Sequence, residues 1–172
     1  MRGAIARTLI LYAIFASIPF TLFAQQGSVT EREALARELR NAWLPLESGL
    51  AVSGSEGTPI SAKYEIDNGT FQLSVYTMKG DKFSEVIVDY SVGTITKVDK
   101  ITDSGDLAAA QSQKESMARA TRTLEAAIAE AVRTNPGYRA VSALPSLNEG
   151  RPIAEVILVN GTDWRIVFGN LD

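Results

Sequence analysis

The chain has 172 residues and a formal net charge of −3, and it contains neither histidine nor cysteine. Those absences exclude Ser/His and Cys/His catalysis, a thiolate nucleophile, disulfide bridging and a Cys/His zinc site. The mildly acidic balance argues against nucleic-acid binding, which needs a basic face.

The first two dozen residues read as an address. Arg2 and Arg7 are the only charges before Gln25, and residues 8–24 are the nearly apolar run "TLILYAIFASIPFTLFA". A basic start, an apolar centre and a small residue before a polar switch match a secretory signal peptide, with the cut expected between Ala24 and Gln25. The alternative is an uncleaved anchor, the chain's one route to a membrane. Its 17 residues are at the short end for a spanning helix, which takes ~20. No cysteine flanks the cut, so a lipoprotein anchor is excluded. Cleavage removes Arg2 and Arg7 and no acid, which takes the formal charge from −3 to −5 and leaves residues 25–172 as the mature chain. The expected location is periplasmic or secreted.

Thr30 and Glu33 have the spacing of a capping box, and Leu35, Leu39 and then Ala42 or Trp43 recur at helical spacing. Pro45 is expected to stop this helix. Residues 47–58, rich in Ser and Gly, read as a loop. Strand patterns follow. Ile60, Ala62, Tyr64 and Ile66 alternate with polar residues, Asp67-Asn68-Gly69 signals a tight hairpin, and Phe71, Leu73 and Val75 share a face. A turn at residues 79–81 leads to a third strand over 83–90. Asp89, Ser91 and Gly93 then bend the chain into a fourth strand over 94–101, because Asp and Ser side chains bond nearby amides and Gly accepts positive φ.

A second cycle begins after the polar break at residues 102–106. Ser112 and Glu115 form another capping-box spacing. Met117, Ala120, Leu124, Ile128, Ala131 and Val132 line one helical stripe, ended by Asn135-Pro136-Gly137. Strands are expected over 138–147, 152–160 and 163–168. The fold class expected from this order is α+β, as two tandem units over 28–102 and 103–172, each a helix packed on a small antiparallel sheet; the alternative is one continuous α+β domain whose halves match by chance.

The stretch "TLEAAIAEAVRTNPGYRAVSALPSLNEGRPIAEVILVNGTDWRIVF" resembles the PepSY domain family in its Ala-rich helix, Pro-Gly break, polar turn and "AEVILV" strand. "GDKFSEVIVDYSVGTITKV" is similar to that family's closing hairpin, in which Asp89 and Gly93 bracket the turn. Val92 stands where the family pattern has a threonine, and the second half ends without its own Asp-to-Gly turn. The resemblance implies an extracytoplasmic, non-enzymatic module that inhibits or regulates a secreted peptidase. It transfers Asp89 and Gly93 as turn residues and supplies no catalytic residue.

Other chemistry is thin. Asp67, Asp81, Asp89, Asp99, Asp103 and Asp106 fall at turns or on polar strand faces, without the alternating ligands of a calcium loop. The Ser/Gly run at 53–57 lacks the lysine of a phosphate loop. Arg119, Arg122 and Arg133 are interleaved with glutamates, as on a solvated helix face. No catalytic residue, metal or cofactor is expected. The remaining clue is apolar residues on both faces of the strands. Ile87, Ile157, Val159 and Val167 are the candidates for a second apolar face, covered either by packing of one unit on the other or by a protein partner. The function expected is an exported, non-catalytic binding or regulatory module. The alternatives are an envelope assembly factor and, less favoured, a small carboxylate-only hydrolase.

Overall fold

The computed structural model describes residues 29–172, so the leader expected over 1–24 lies outside the described residues. Its strands are β1 (Thr58–Asp67), β2 (Thr70–Lys79), β3 (Lys82–Val88), β4 (Ile95–Lys100), β5 (Arg139–Asn148), β6 (Arg151–Asn160) and β7 (Asp163–Asn170). They form one antiparallel sheet in the order β4-β3-β2-β1-β5-β6-β7. Each half of the chain starts at the sheet centre and winds outwards.

This corrects the expected fold of two helix-plus-small-sheet units. The first strands of the two halves pair with each other, Ala62 opposite Ala143 and Lys63 opposite Ser142, which fuses the two sets of strands into one sheet. The two halves therefore share one main apolar core. Directly paired residues of antiparallel strands project from the same face. Leu73, Val75, Val86 and Val88 from one half therefore share a face with Ala143, Ala154, Val156 and Leu158 from the other, all buried in one cluster.

That face is roofed by α2 (Leu46–Ser53) and α4 (Leu124–Thr134), which also touch each other. In α4, Leu124, Ala127, Ile128 and Ala131 are buried at helical spacing, and the Thr123 hydroxyl accepts from the Ala126 amide to cap the start. Helix α2 replaces the loop expected over 47–58. Its buried positions, Leu46, Gly49, Leu50 and Ser53, have the same spacing, but two of the four are too small to register as apolar. Gly49 sits against the sheet, where a Cβ would come within 2.5 Å of Leu73 Cδ2. Pro45 is the N-cap of α2 rather than simply the stop of the helix before it.

Helix α3 (Ser104–Met117) packs on the opposite face. The Asp103 carboxylate accepts from the amides of Gly105 and Asp106 and caps it. Ala110 packs with Ile60, Tyr76, Phe83 and Ile101 in a second, smaller cluster. A bulge between Pro59 and Ser61 interrupts the strand alternation, so Ile60 joins this cluster while Ala62 and Tyr64 join the main core. Buried Ser61 donates to Gln113 Oε1 at 2.8 Å, tying α3 to β1. The helix expected to start at Ser112 is thus two helices. Ser112 and Glu115 lie inside α3, and the chain breaks at residues 118–123 before α4.

Helix α1 (Val29–Glu38) continues through a 3-10 turn at Leu39–Asn41, and the chain then extends to Pro45. This segment is held at the end of the sheet where the two-pair seam between β1 and β5 stops. Arg139 donates from Nη1 to the carbonyls of Leu39 and Ala42 at 2.7 and 2.8 Å, and Tyr64 donates its hydroxyl to the Leu44 carbonyl. Burial, partly opposed by the nearby Arg139 guanidinium, pushes the Tyr64 hydroxyl up to about 12. Leu39 and Ala42 are buried as their spacing suggests, but Trp43 is 84% exposed.

Candidate functional site

On the face that carries α3, that helix packs against β1, β5 and β6 and leaves the stretch beside α1 uncovered. A groove of about 650 Å³ runs there between α1 and the far strands. Its lining includes Ala34 and Leu35 of α1, Leu144 of β5, Ile157 of β6, and Trp164 and Ile166 of β7.

Two charges in the groove lining are paired with each other. Lys63 and Glu65 form an ion pair at 2.6 Å, and Glu65 Oε1 also accepts from Ser74 Oγ at 2.6 Å and Gln72 Nε2 at 3.3 Å. A carboxylate held by a lysine and two further donors is satisfied where it stands. Glu85, on β3, lies outside the groove lining. Burial raises its carboxyl pKa first; the Ser74 hydroxyl opposes the shift and the Glu65 charge adds to it. Glu155 is 7% exposed between Leu144 and Phe168, and burial raises its carboxyl pKa as well. Among the described residues, no group of three or more Asp or Glu is placed to hold a metal ion, and no helix is long and apolar enough to cross a membrane.

The aspartates singled out in the sequence are scattered. Asp81 pairs with Lys114, Asp99 with Lys97, and Asp103 caps α3. Asp89 accepts at Oδ1 from the Ser91 amide and hydroxyl and from the Val92 amide, bonds that hold its carboxyl below the usual value, the Ser91 hydroxyl contributing most. The Gly93 amide returns to the Asp89 carbonyl at 2.8 Å with φ +72°, so both residues serve the turn. Arg122 and Arg133 share Glu130, and Arg119 donates to the Gly150 carbonyl.

The four candidates for a second apolar face do not lie together. One cross-strand row reads Lys97, Ile87, Ser74, Lys63, Ser142, Ile157, Ile166. Ile87 and Ile157 share the open face, with three polar residues between them. Val159 shares it too and is 5% exposed, with Trp164 opposite. Val167 pairs with Val156 and so faces the helices. Of the four, Ile157 alone lines the groove. Leu35, Leu144, Trp164 and Ile166 line it with Ile157. The signal that identifies the β7 residues is the two-residue turn at Gly161 and Thr162, since pairing Asn160 with Asp163 sets Trp164 and Ile166 on the face of Ile157. Away from the groove, Trp43 donates its amide to the Tyr90 carbonyl, beside the turn that exposes Val92.

Comparisons with family models, with curated proteins and with solved structures found no match for this chain.

Proposed function

We propose that this protein is an exported, non-catalytic binding or regulatory module that takes an apolar segment of a protein partner in the groove over β5, β6 and β7. The observation that carries this reading is the groove itself, about 650 Å³, lined by Leu35, Leu144, Ile157, Trp164 and Ile166, with Lys63 and Glu65 in its lining paired to each other. Apolar surface of this kind gains free energy when a partner covers it. The satisfied state of Glu65 favours binding over acid–base work, which needs a carboxyl free to exchange its proton with a substrate. Export rests on the leader pattern of residues 1–24, and the PepSY resemblance favours a secreted peptidase as the partner.

The test is capture from an envelope extract with wild type and with Ile157→Asp, a charge set into the groove. The expected result is a protein retained by wild type and lost with the variant. Assay of the captured protein with and without added module separates a regulated peptidase from an assembly partner. Capture that Ile157→Asp leaves unchanged, or turnover of a substrate by the module alone, overturns the reading.

A further inference from the structure

The two edges of the sheet are built differently. β4 is six residues long and carries Lys97, Asp99 and Lys100, the charged, short form that resists pairing with another strand. β7 is eight residues long and turns Trp164, Ile166 and Phe168 to the open face, with Ile166 and Phe168 45% and 58% exposed. Its outward backbone groups can be assigned. The Leu171 amide bonds inward to the Pro152 carbonyl, and the tight turn pairs Asn160 with Asp163. Odd-numbered residues of β7 therefore bond to β6, and the N–H and C=O groups of Trp164, Ile166 and Phe168 point away from the sheet. The Asn170 carbonyl also points outward, where Arg122 already donates to it.

We infer that β7 pairs with β7 of a second copy about a two-fold axis at Ile166, making one continuous sheet of two chains. A strand centred on Ile166 is self-complementary. Ile166 opposes Ile166 of the partner subunit, and Trp164 opposes Phe168 of the partner subunit, with the reciprocal pair across the axis. All three are residues whose backbone groups point outward, so every outward donor and acceptor over 164–168 gains a partner in the same register that joins the apolar side chains. The rival contact, β7 against β4 of another copy, sets Lys97 and Asp99 beside Ile166 and Phe168 and propagates without closing; the isologous pair closes at two. In the dimer, Phe168 of the partner subunit stands beside Trp164 and extends that wall of the groove. The inference holds whether or not the groove takes a partner.

Sedimentation equilibrium of the purified protein over a concentration series is expected to give a monomer–dimer equilibrium. Ile166→Lys, which sets two like charges opposite each other on the axis, is expected to raise the dimer dissociation constant about tenfold or more. The native chain has no cysteine, so single cysteines report the register directly. Ile166→Cys is expected to cross-link copy to copy on oxidation, because directly opposed strand residues lie within disulfide reach. Phe168→Cys is not, because its two copies are offset by roughly 13 Å along the strands. A monomer at every concentration overturns the inference, as does a dimer insensitive to Ile166→Lys or equal cross-linking by the two cysteines. So does a monomer whose β7 edge takes up an extended peptide instead.

Discussion

The two faces of the sheet solve burial in different ways. On one, α2 and α4 meet strand residues of both halves in a single apolar cluster, with Leu50, Leu73, Ile128 and Leu158 fully buried. On the other, α3 packs against β1, β5 and β6 and closes a small cluster with Ile60, Tyr76 and Phe83, and the stretch beside α1 is left to a polar row and a groove. Stability is concentrated on the first face, and the second has freedom to present surface.

Truncation separates the faces most sharply. Leu158→Ala on the roofed face is expected to cost about 2–5 kcal/mol, the range for a cavity in a packed core, while its neighbour Ile157→Ala on the open face costs about 1 kcal/mol or less. Urea unfolding of the two variants measures the difference, and equal losses would mean that the second face is as closed as the first. Arg139→Ala comes next. It strips donors from the carbonyls of Leu39 and Ala42 where α1 passes from one face towards the other, at an expected cost of about 1–3 kcal/mol. Hydrogen exchange is expected to show the loss centred on residues 35–45; protection unchanged there would place the anchor of that segment elsewhere.

The smallest effect is a pH dependence on the open face. Burial raises the Glu155 carboxyl above its ordinary value of 4.5. The folded chain then holds that proton at pH values where the unfolded chain has released it. This contribution therefore falls as pH rises from 4.5 through the folded value, and is unfavourable at neutral pH. Glu155→Gln is expected to be more stable than wild type at pH 7, with the advantage shrinking on acidification towards 4.5. Thermal melts across that window check it, and an advantage that grows with acid contradicts it.

The strands were legible because period-two alternation and turn chemistry agree locally. Asn68 and Gly69 adopt positive φ at the hairpin expected, and Glu149, Gly150 and Gly161 do so in the gaps between the expected strands. The helices were harder. The buried side of α2 includes Gly49 and Ser53, and that of α3 is Ala110, Gln113 and Ser116, so neither shows an apolar stripe. The sheet's unity was hidden for a different reason. It depends on Ala62 and Lys63 finding Ala143 and Ser142 some eighty residues away, and nothing in the local pattern of either strand marks that meeting. The groove followed the same logic. Ile157 was visible as an apolar residue on the wrong side of its strand, but Leu35 and Leu144 join it through tertiary placement alone.

The narrow seam between β1 and β5 has a mechanical consequence. Two residue pairs join the halves there, against seven or more in the adjoining ladders β1–β2, β2–β3, β5–β6 and β6–β7. A pulling force applied across the molecule would shear this line first and leave both hairpin stacks intact, with the shared helical roof as the remaining tether.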